Sequence, residues 1–202
     1  MDQIQKSGLT PTRPASKQPI PSDAEQIFHG RIFDVYQWSQ KMFDGTIETF
    51  EKLKRPDTVN VIPVLENGTI LLSKQSQPSR EPFTGTFGGM IDHGETPYDA
   101  AVRELREETG YESSSFTLIH SVQPVAKIDW AIYTYVARQV KKVGDPVLDA
   151  GEDISVFAVS FEEFVKWSAD PMFRDTEISL MVFRAMSKPH GLEELKRIIM
   201  GI

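Results

Sequence analysis

The chain contains no cysteine, which excludes disulfides, thiol catalysis and cysteine-ligated zinc. It lacks any apolar run approaching the ~20 residues that a membrane-spanning helix needs. It has no excess of positive charge either. Lys and Arg number 22 against 29 Asp and Glu, a formal net charge of −7, so non-specific nucleic-acid binding is not expected. No internal repeat is visible. No apolar stretch follows a basic segment at the N-terminus, so a secretory signal is not expected and a cytoplasmic location is the default expectation.

What is present fits an ordinary globular domain. The 202 residues are 40% hydrophobic and 25% charged, enough for one domain with a real core and some appendages. Residues 1–27 carry Pro11, Pro14, Pro19 and Pro21 among Ser, Thr, Gln and Lys. With little to bury, they are expected to form a flexible arm.

Residues 28–54 read as a hairpin. Ile32, Val35, Tyr36 and Trp38 mark the first strand, Asp44-Gly45 is a two-residue turn signal, and Thr46–Leu53 returns. VNVIPVL is apolar enough for a buried strand, and TILLSKQ returns after the Asn67-Gly68 turn. Further strands are expected in SSSFTLIHSVQPV, AIYTYVARQV and ISVFAVS, with a turn over Lys141–Pro146. Helices are expected over Phe161–Trp167, Thr176–Met186 and Gly191–Ile202. The middle one carries a core stripe of Ile178, Met181, Val182 and Ala185.

The chain is organised around Gly89 to Tyr111. A loop with Asp92, Gly94 and Glu95 leads to Thr96-Pro97, a good N-cap followed by a residue suited to the first helical position. Asp99 complements the dipole in the first turn, and Gly110 supplies the stop. In the helix between, Glu104, Glu107 and Glu108 stand at i, i+3 and i+4. That spacing puts three carboxylates on one face, where like charges cost about 0.2–0.5 kcal/mol per pair. Arg103 and Arg106 can screen part of this repulsion, and a divalent cation would do so better. Hard oxygen ligands suit Mg²⁺. Taken alone, the same run also reads as a solvated acidic face.

The full spacing, Gly89-x5-Glu95-x7-Arg103-Glu104-Leu105-x-Glu107-Glu108-x-Gly110, resembles the signature box of the Nudix hydrolases. Only Tyr111, where an aliphatic residue is usual, departs from it. RPDTVNVIPV followed by GTILLSKQ further resembles the ADP-ribose pyrophosphatase branch of that family. The resemblance implies an α/β (α+β) Nudix fold, with a mixed β-sheet between helices and an N-terminal hairpin extension over residues 28–54. The Nudix domain proper would span 55–202, with the box at 89–111.

The implied activity is hydrolysis of a nucleoside diphosphate linked to another group. The implied cofactor is Mg²⁺, with Mn²⁺ as the alternative, and a homodimer is possible. By motif position Glu104 and Glu108 are the leading metal ligands, and Glu107 is a third or water-mediated one. The peptide carbonyl of Gly88, just before the box, is another candidate ligand, although a flexible strand end would account for that glycine equally well. Glu95 and Arg103 are expected to orient the helix carboxylates. The general base is Glu107 or Glu152, the latter from an acidic loop that also reads as a plain turn. Candidate substrate contacts are Arg55, Gln77 and Trp130, although an aromatic at a strand start, as Trp130 is, more often belongs to the core.

Two segments depart from the branch. Gln77 stands where an arginine is usual, and Thr86-Phe87-Gly88-Gly89 replaces a Leu-Pro-Ala-Gly run. These departures leave two enzyme expectations open, a pyrophosphatase for ADP-ribose or a related nucleotide sugar and a Nudix hydrolase for another nucleoside diphosphate derivative; a nucleotide-sensing module without turnover ranks below both, because all the box carboxylates are present.

Overall fold

In the computed structural model, residues 11–202 are described; the part of the expected arm before Pro11 lies outside them. Three strands open the described chain: β1 (Glu25–His29), β2 (Asp34–Lys41) and β3 (Ile47–Lys54). Then come β4 (Thr58–Leu65), β5 (Ile70–Gln77) and β6 (Arg80–Gly85), followed by α1 (Pro97–Thr109). The second half holds β7 (Tyr111–Glu112), β8 (Ser115–Val122), β9 (Ile128–Asp129), β10 (Ile132–Lys142) and β11 (Asp153–Val159). Helices α2 (Phe161–Trp167), α3 (Thr176–Met186) and α4 (Gly191–Met200) close it.

The larger sheet runs β11-β5-β4-β10-β7, with β6 on β5 and β8 on β10. It is mixed, because β4 and β10 pair in parallel while the other pairs are antiparallel. Alternation along β4 explains why VNVIPVL is almost wholly apolar. Val59 and Val61 face one cluster, with Leu105, Ala100 and Ala101 of α1. Ile62 and Val64 face the other, with Phe164, Ile178, Val182 and Ile199 of α2, α3 and α4. A strand covered on both faces needs no polar side. The result is a sheet between helical layers, as the box resemblance implies.

The smaller sheet runs β1-β2-β3-β9. The expected hairpin is its centre, flanked by two strands that were not expected. Each of those is short or lacks alternation, so the period-2 signal is weak. β6 was also not expected; it is held by pairing with β5 and starts after Ser79, which has a positive φ of 61°. The expected turn over Lys141–Pro146 begins later, because Lys141 and Lys142 extend β10 to pair with β7.

The segment from Pro11 to Pro21 differs from a free arm. Arg13 binds Asp57 and Asp129, Gln123 Nε2 donates to the Pro14 carbonyl at 2.9 Å, and Lys52 donates to Ser16 Oγ at 2.7 Å. Lys52 is 1% exposed; its ammonium also donates to the Gln18 carbonyl, and burial lowers its pKa. This anchorage is polar, so a count of buriable apolar residues does not reveal it.

Candidate active site

Helix α1 starts as its sequence requires. The Thr96 side chain accepts from the Asp99 N–H, Pro97 is buried in the first turn, and Gly110 ends the helix at φ 69° with its N–H on the Arg106 carbonyl. Ala100, Ala101 and Leu105 are fully buried beneath it, which fixes the rotation of the carboxylate face. Glu104 and Glu108 flank that apolar stripe and are 9% and 5% exposed. The Glu107 side chain lies further round and is 45% exposed.

The segment before the box runs antiparallel beside β4. Val61 N–H donates to the Phe87 carbonyl at 2.7 Å and Val59 N–H to the Gly89 carbonyl at 3.0 Å. Between them, Gly88 N–H donates to Glu108 Oε2 at 2.8 Å, while the Gly88 carbonyl has no hydrogen-bond partner among the described residues. Gly88 has φ 140°, and a Cβ there would stand 2.1 Å from the Val59 carbonyl oxygen. At Gly89 a Cβ would meet Glu104 Oε1 at 2.5 Å. The two glycines therefore let backbone and carboxylates approach closely.

Arg103 organises the carboxylates. Its Nε and Nη2 donate to Glu95 at 2.9 and 3.0 Å, and its Nη1 donates to Glu104 at 2.8 Å and Glu107 at 3.1 Å. Nη2 also reaches the Met90 carbonyl. Hydrogen bonding from Arg103 lowers the pKa of Glu95. At Glu104 burial outweighs Arg103 and raises the value. Burial pushes Glu108 up to about 8, against the Gly88 N–H. A buried carboxyl with so raised a pKa lacks a compensating positive charge.

These groups face a cavity of about 970 Å³, within the range of small-molecule sites. Glu104, Glu107, Glu108, Arg103 and Gly88 line it, together with Glu152 and Asp149 from the loop before β11. Elsewhere on its wall are Arg55, Gln77 and Trp130. The Arg55 guanidinium stands 4.8 Å from the Trp130 ring centroid, and the Trp130 N–H donates to Thr58 Oγ1 at 3.0 Å. Glu95 is held one layer behind by Arg103 and by the Asp92 N–H. The chain thus gathers all the other residues singled out from sequence around one cavity. It adds two that carried no sequence signal, Arg80 and Arg174.

Among the described residues, no three His, Cys, Asp or Glu side chains stand close enough to enclose an ion by themselves. The donors still fit a hard divalent ion held partly by water and substrate, since Mg²⁺ usually takes only one or two carboxylates. The buried, under-compensated Glu108 beside Glu104 is where such an ion would relieve repulsion. No helix among the described residues is long and apolar enough to cross a membrane.

Comparison with known proteins agrees with this geometry. The NUDIX domain family model matches residues 54–177. The ADP-ribose pyrophosphatase of Bacillus subtilis (strain 168) is 30% identical over 145 residues, covering 70% of this chain and 78% of that protein. The methanol dehydrogenase activator of Bacillus methanolicus is 27% identical over 161 residues, covering 78% and 87%. The crystal structure of an ADP compounds hydrolase shares the fold, with a TM-score of 0.67 at 19% identity over 84% of this chain and 92% of that one. A family match running from the end of β3 into α3, around an intact box, identifies the chain as a member of the Nudix hydrolase family and as a pyrophosphohydrolase.

Proposed function

We propose that this enzyme is a Mg²⁺-dependent pyrophosphohydrolase of ADP-ribose or a related nucleotide sugar. The carrying observation is one cavity that joins the box carboxylates and Glu152 to the Arg55–Trp130 stack. A carboxylate cluster suits a metal-complexed diphosphate, and a cation-backed aromatic suits a nucleoside. The hard donors favour Mg²⁺, with Mn²⁺ the nearest substitute. Glu104 and Glu108 would hold the metal, with Glu107 and the Gly88 carbonyl as further donors. When bound, it would neutralise phosphate charge and make water more acidic.

The chain's own residues do the rest. Arg103 and Glu95 fix the orientation of Glu104 and Glu107. Arg55, Trp130 and Gln77 orient the nucleoside side of the substrate. Water adds to one phosphorus, the bridging P–O bond breaks, and the proton of the water passes to a carboxylate and then to solvent or the leaving phosphate. Glu152 is the favoured acceptor, because Glu107 Oε2 is already engaged by Arg103 whereas Glu152, among the described residues, accepts only the Asp149 N–H, at 3.4 Å.

A second reading keeps this chemistry and changes the substrate to another nucleoside diphosphate derivative. It is favoured by Gln77 and by the Phe87-Gly88 segment, where the chain departs from the ADP-ribose branch. Phosphate release coupled to alkaline phosphatase, across ADP-ribose, ADP-glucose, GDP-mannose, diadenosine polyphosphates and nucleoside triphosphates, separates the two. Preference for ADP-ribose supports the first, and preference for another diphosphate compound the second. Silence across the panel would overturn both.

The proposal includes a homodimer formed through the smaller sheet. That sheet and its turns expose Phe28, Phe43 and Ile47 at 56%, 112% and 69%, an apolar surface that a second copy would cover. Light scattering at micromolar concentration tests it, and a monomer would remove this part of the reading.

A further inference from the structure

Arg80 and Arg174 come from distant parts of the chain and meet over one ring. Their guanidinium carbons stand 4.3 and 4.7 Å from the Phe83 ring centroid, and both residues line the cavity of the box carboxylates. The meeting is built by the backbone. Thr84 N–H donates to the Met172 carbonyl and Arg174 N–H to the Thr84 carbonyl, both at 2.9 Å. The buried Asp175 carboxylate accepts from Thr86 N–H at 2.6 Å and Thr86 Oγ1 at 2.8 Å. The segment before α3 is thereby stapled along β6. On β6 itself, Arg80 lies directly opposite Gln77 of β5, so both side chains leave the same face of the sheet.

Neither guanidinium has a close carboxylate of its own among the described residues. Arg174 pairs with Asp175 only at 3.7 Å, and that carboxylate is already bonded to Thr86. Arg80 makes no ion pair among the described residues. Two like charges gathered on one ring in the cavity wall suit an anionic ligand. Planar guanidinium forks match phosphate oxygens bidentately.

We propose that Arg80 and Arg174, stacked on Phe83, form a clamp for the phosphate oxygens of the substrate's diphosphate, in the cavity of the box carboxylates. The clamp rests on the diphosphate-hydrolase reading above. It would hold one phosphate of the diphosphate and stabilise charge as the anhydride P–O bond breaks.

Calorimetric titration with inorganic pyrophosphate in excess Mg²⁺ tests it on the full chain, alongside ADP-ribose kinetics of R80Q, R174Q and the double variant. Pyrophosphate affinity and kcat/KM should each fall about ten- to a hundredfold per arginine, and R174K should recover part of the loss. Adenosine affinity should not change. Undiminished pyrophosphate binding in the double variant would overturn the clamp, as would an equal loss of adenosine binding. Arg80 is exposed, so R80Q carries the test even where R174Q disturbs folding. A wild-type protein that binds pyrophosphate through these arginines yet hydrolyses no nucleotide diphosphate would refute the substrate reading and leave the clamp standing.

Discussion

Arg13 grips Asp57 through two parallel hydrogen bonds, Nε to Oδ2 at 2.7 Å and Nη2 to Oδ1 at 2.9 Å. Its remaining nitrogen binds Asp129 at 3.0 Å. Asp57 Oδ1 also accepts the Ala131 N–H at 2.8 Å. Both neighbours of Trp130 are therefore tied, directly or through Asp57, to one arginine near the N-terminus. Arg13 is 40% exposed, so the pair itself contributes about 1 kcal/mol or less. Its larger effect is on where Trp130 sits. R13A should raise KM several-fold while leaving kcat near wild type, with a shift in tryptophan emission. A fall in kcat without change in KM would contradict this.

The contrast between this anchor and the box explains what was legible. The box could be read because its residues are close in sequence and helical spacing converts offset into direction. Glu104, Glu107 and Glu108 had to share a face, and Gly110 had to end the helix. The β4 strand was legible because burial on both faces leaves an unbroken apolar run. Arg13, Arg80 and Arg174 were not legible. Arg13 reaches Asp129 across 116 positions, Arg174 meets Phe83 from a distant segment, and Arg80, close to Phe83 in sequence, is brought to the cavity only by the fold; a lone arginine in a polar segment has no periodicity to mark it. Glu152 could be placed only by the family resemblance, since its loop alone reads as an ordinary turn.

Metal-free protein should lose stability with rising pH through Glu108. Its value in the fold is about 8 because it is buried, above the ordinary carboxylate range near 4.3. Between those values the folded chain keeps a proton that the unfolded chain has lost. This contribution is complete below the unfolded value and disappears as pH rises through about 8. In EDTA, the melting temperature of wild type relative to E108Q should therefore be lower at pH 8.5 than at pH 5.5. A difference between the two proteins that does not vary with pH would show that Glu108 is not held protonated.

Removing Arg103 leaves three carboxylates without their common partner. R103A should cost ~1–3 kcal/mol in the absence of metal, because Glu104 and Glu95 are largely buried acceptors. Mg²⁺ should raise the melting temperature of R103A more than that of wild type, since the ion then supplies the missing positive charge. Equal Mg²⁺-induced shifts would argue that Arg103 and the metal address different carboxylates.

Glu107 and Glu152 line the same cavity but are held differently, and this predicts different kinetic effects. Glu107 Oε2 accepts from Arg103 at 3.1 Å and belongs to the carboxylate set of α1. Glu152 sits on the loop before β11 and, among the described residues, makes a single long hydrogen bond with the Asp149 N–H, which leaves its carboxylate available to accept a proton from water. E152Q should lower kcat by roughly 10²–10⁴-fold, the usual contribution of a general base, with little change in the Mg²⁺ concentration giving half-maximal rate. E107Q should raise that Mg²⁺ requirement, with a smaller effect on kcat in saturating metal. Titrating Mg²⁺ for both variants at fixed saturating ADP-ribose reads the two effects separately. If E107Q shows the kcat loss at saturating Mg²⁺ and E152Q does not, the proton acceptor lies on the box helix, and the loop before β11 only helps to close the cavity.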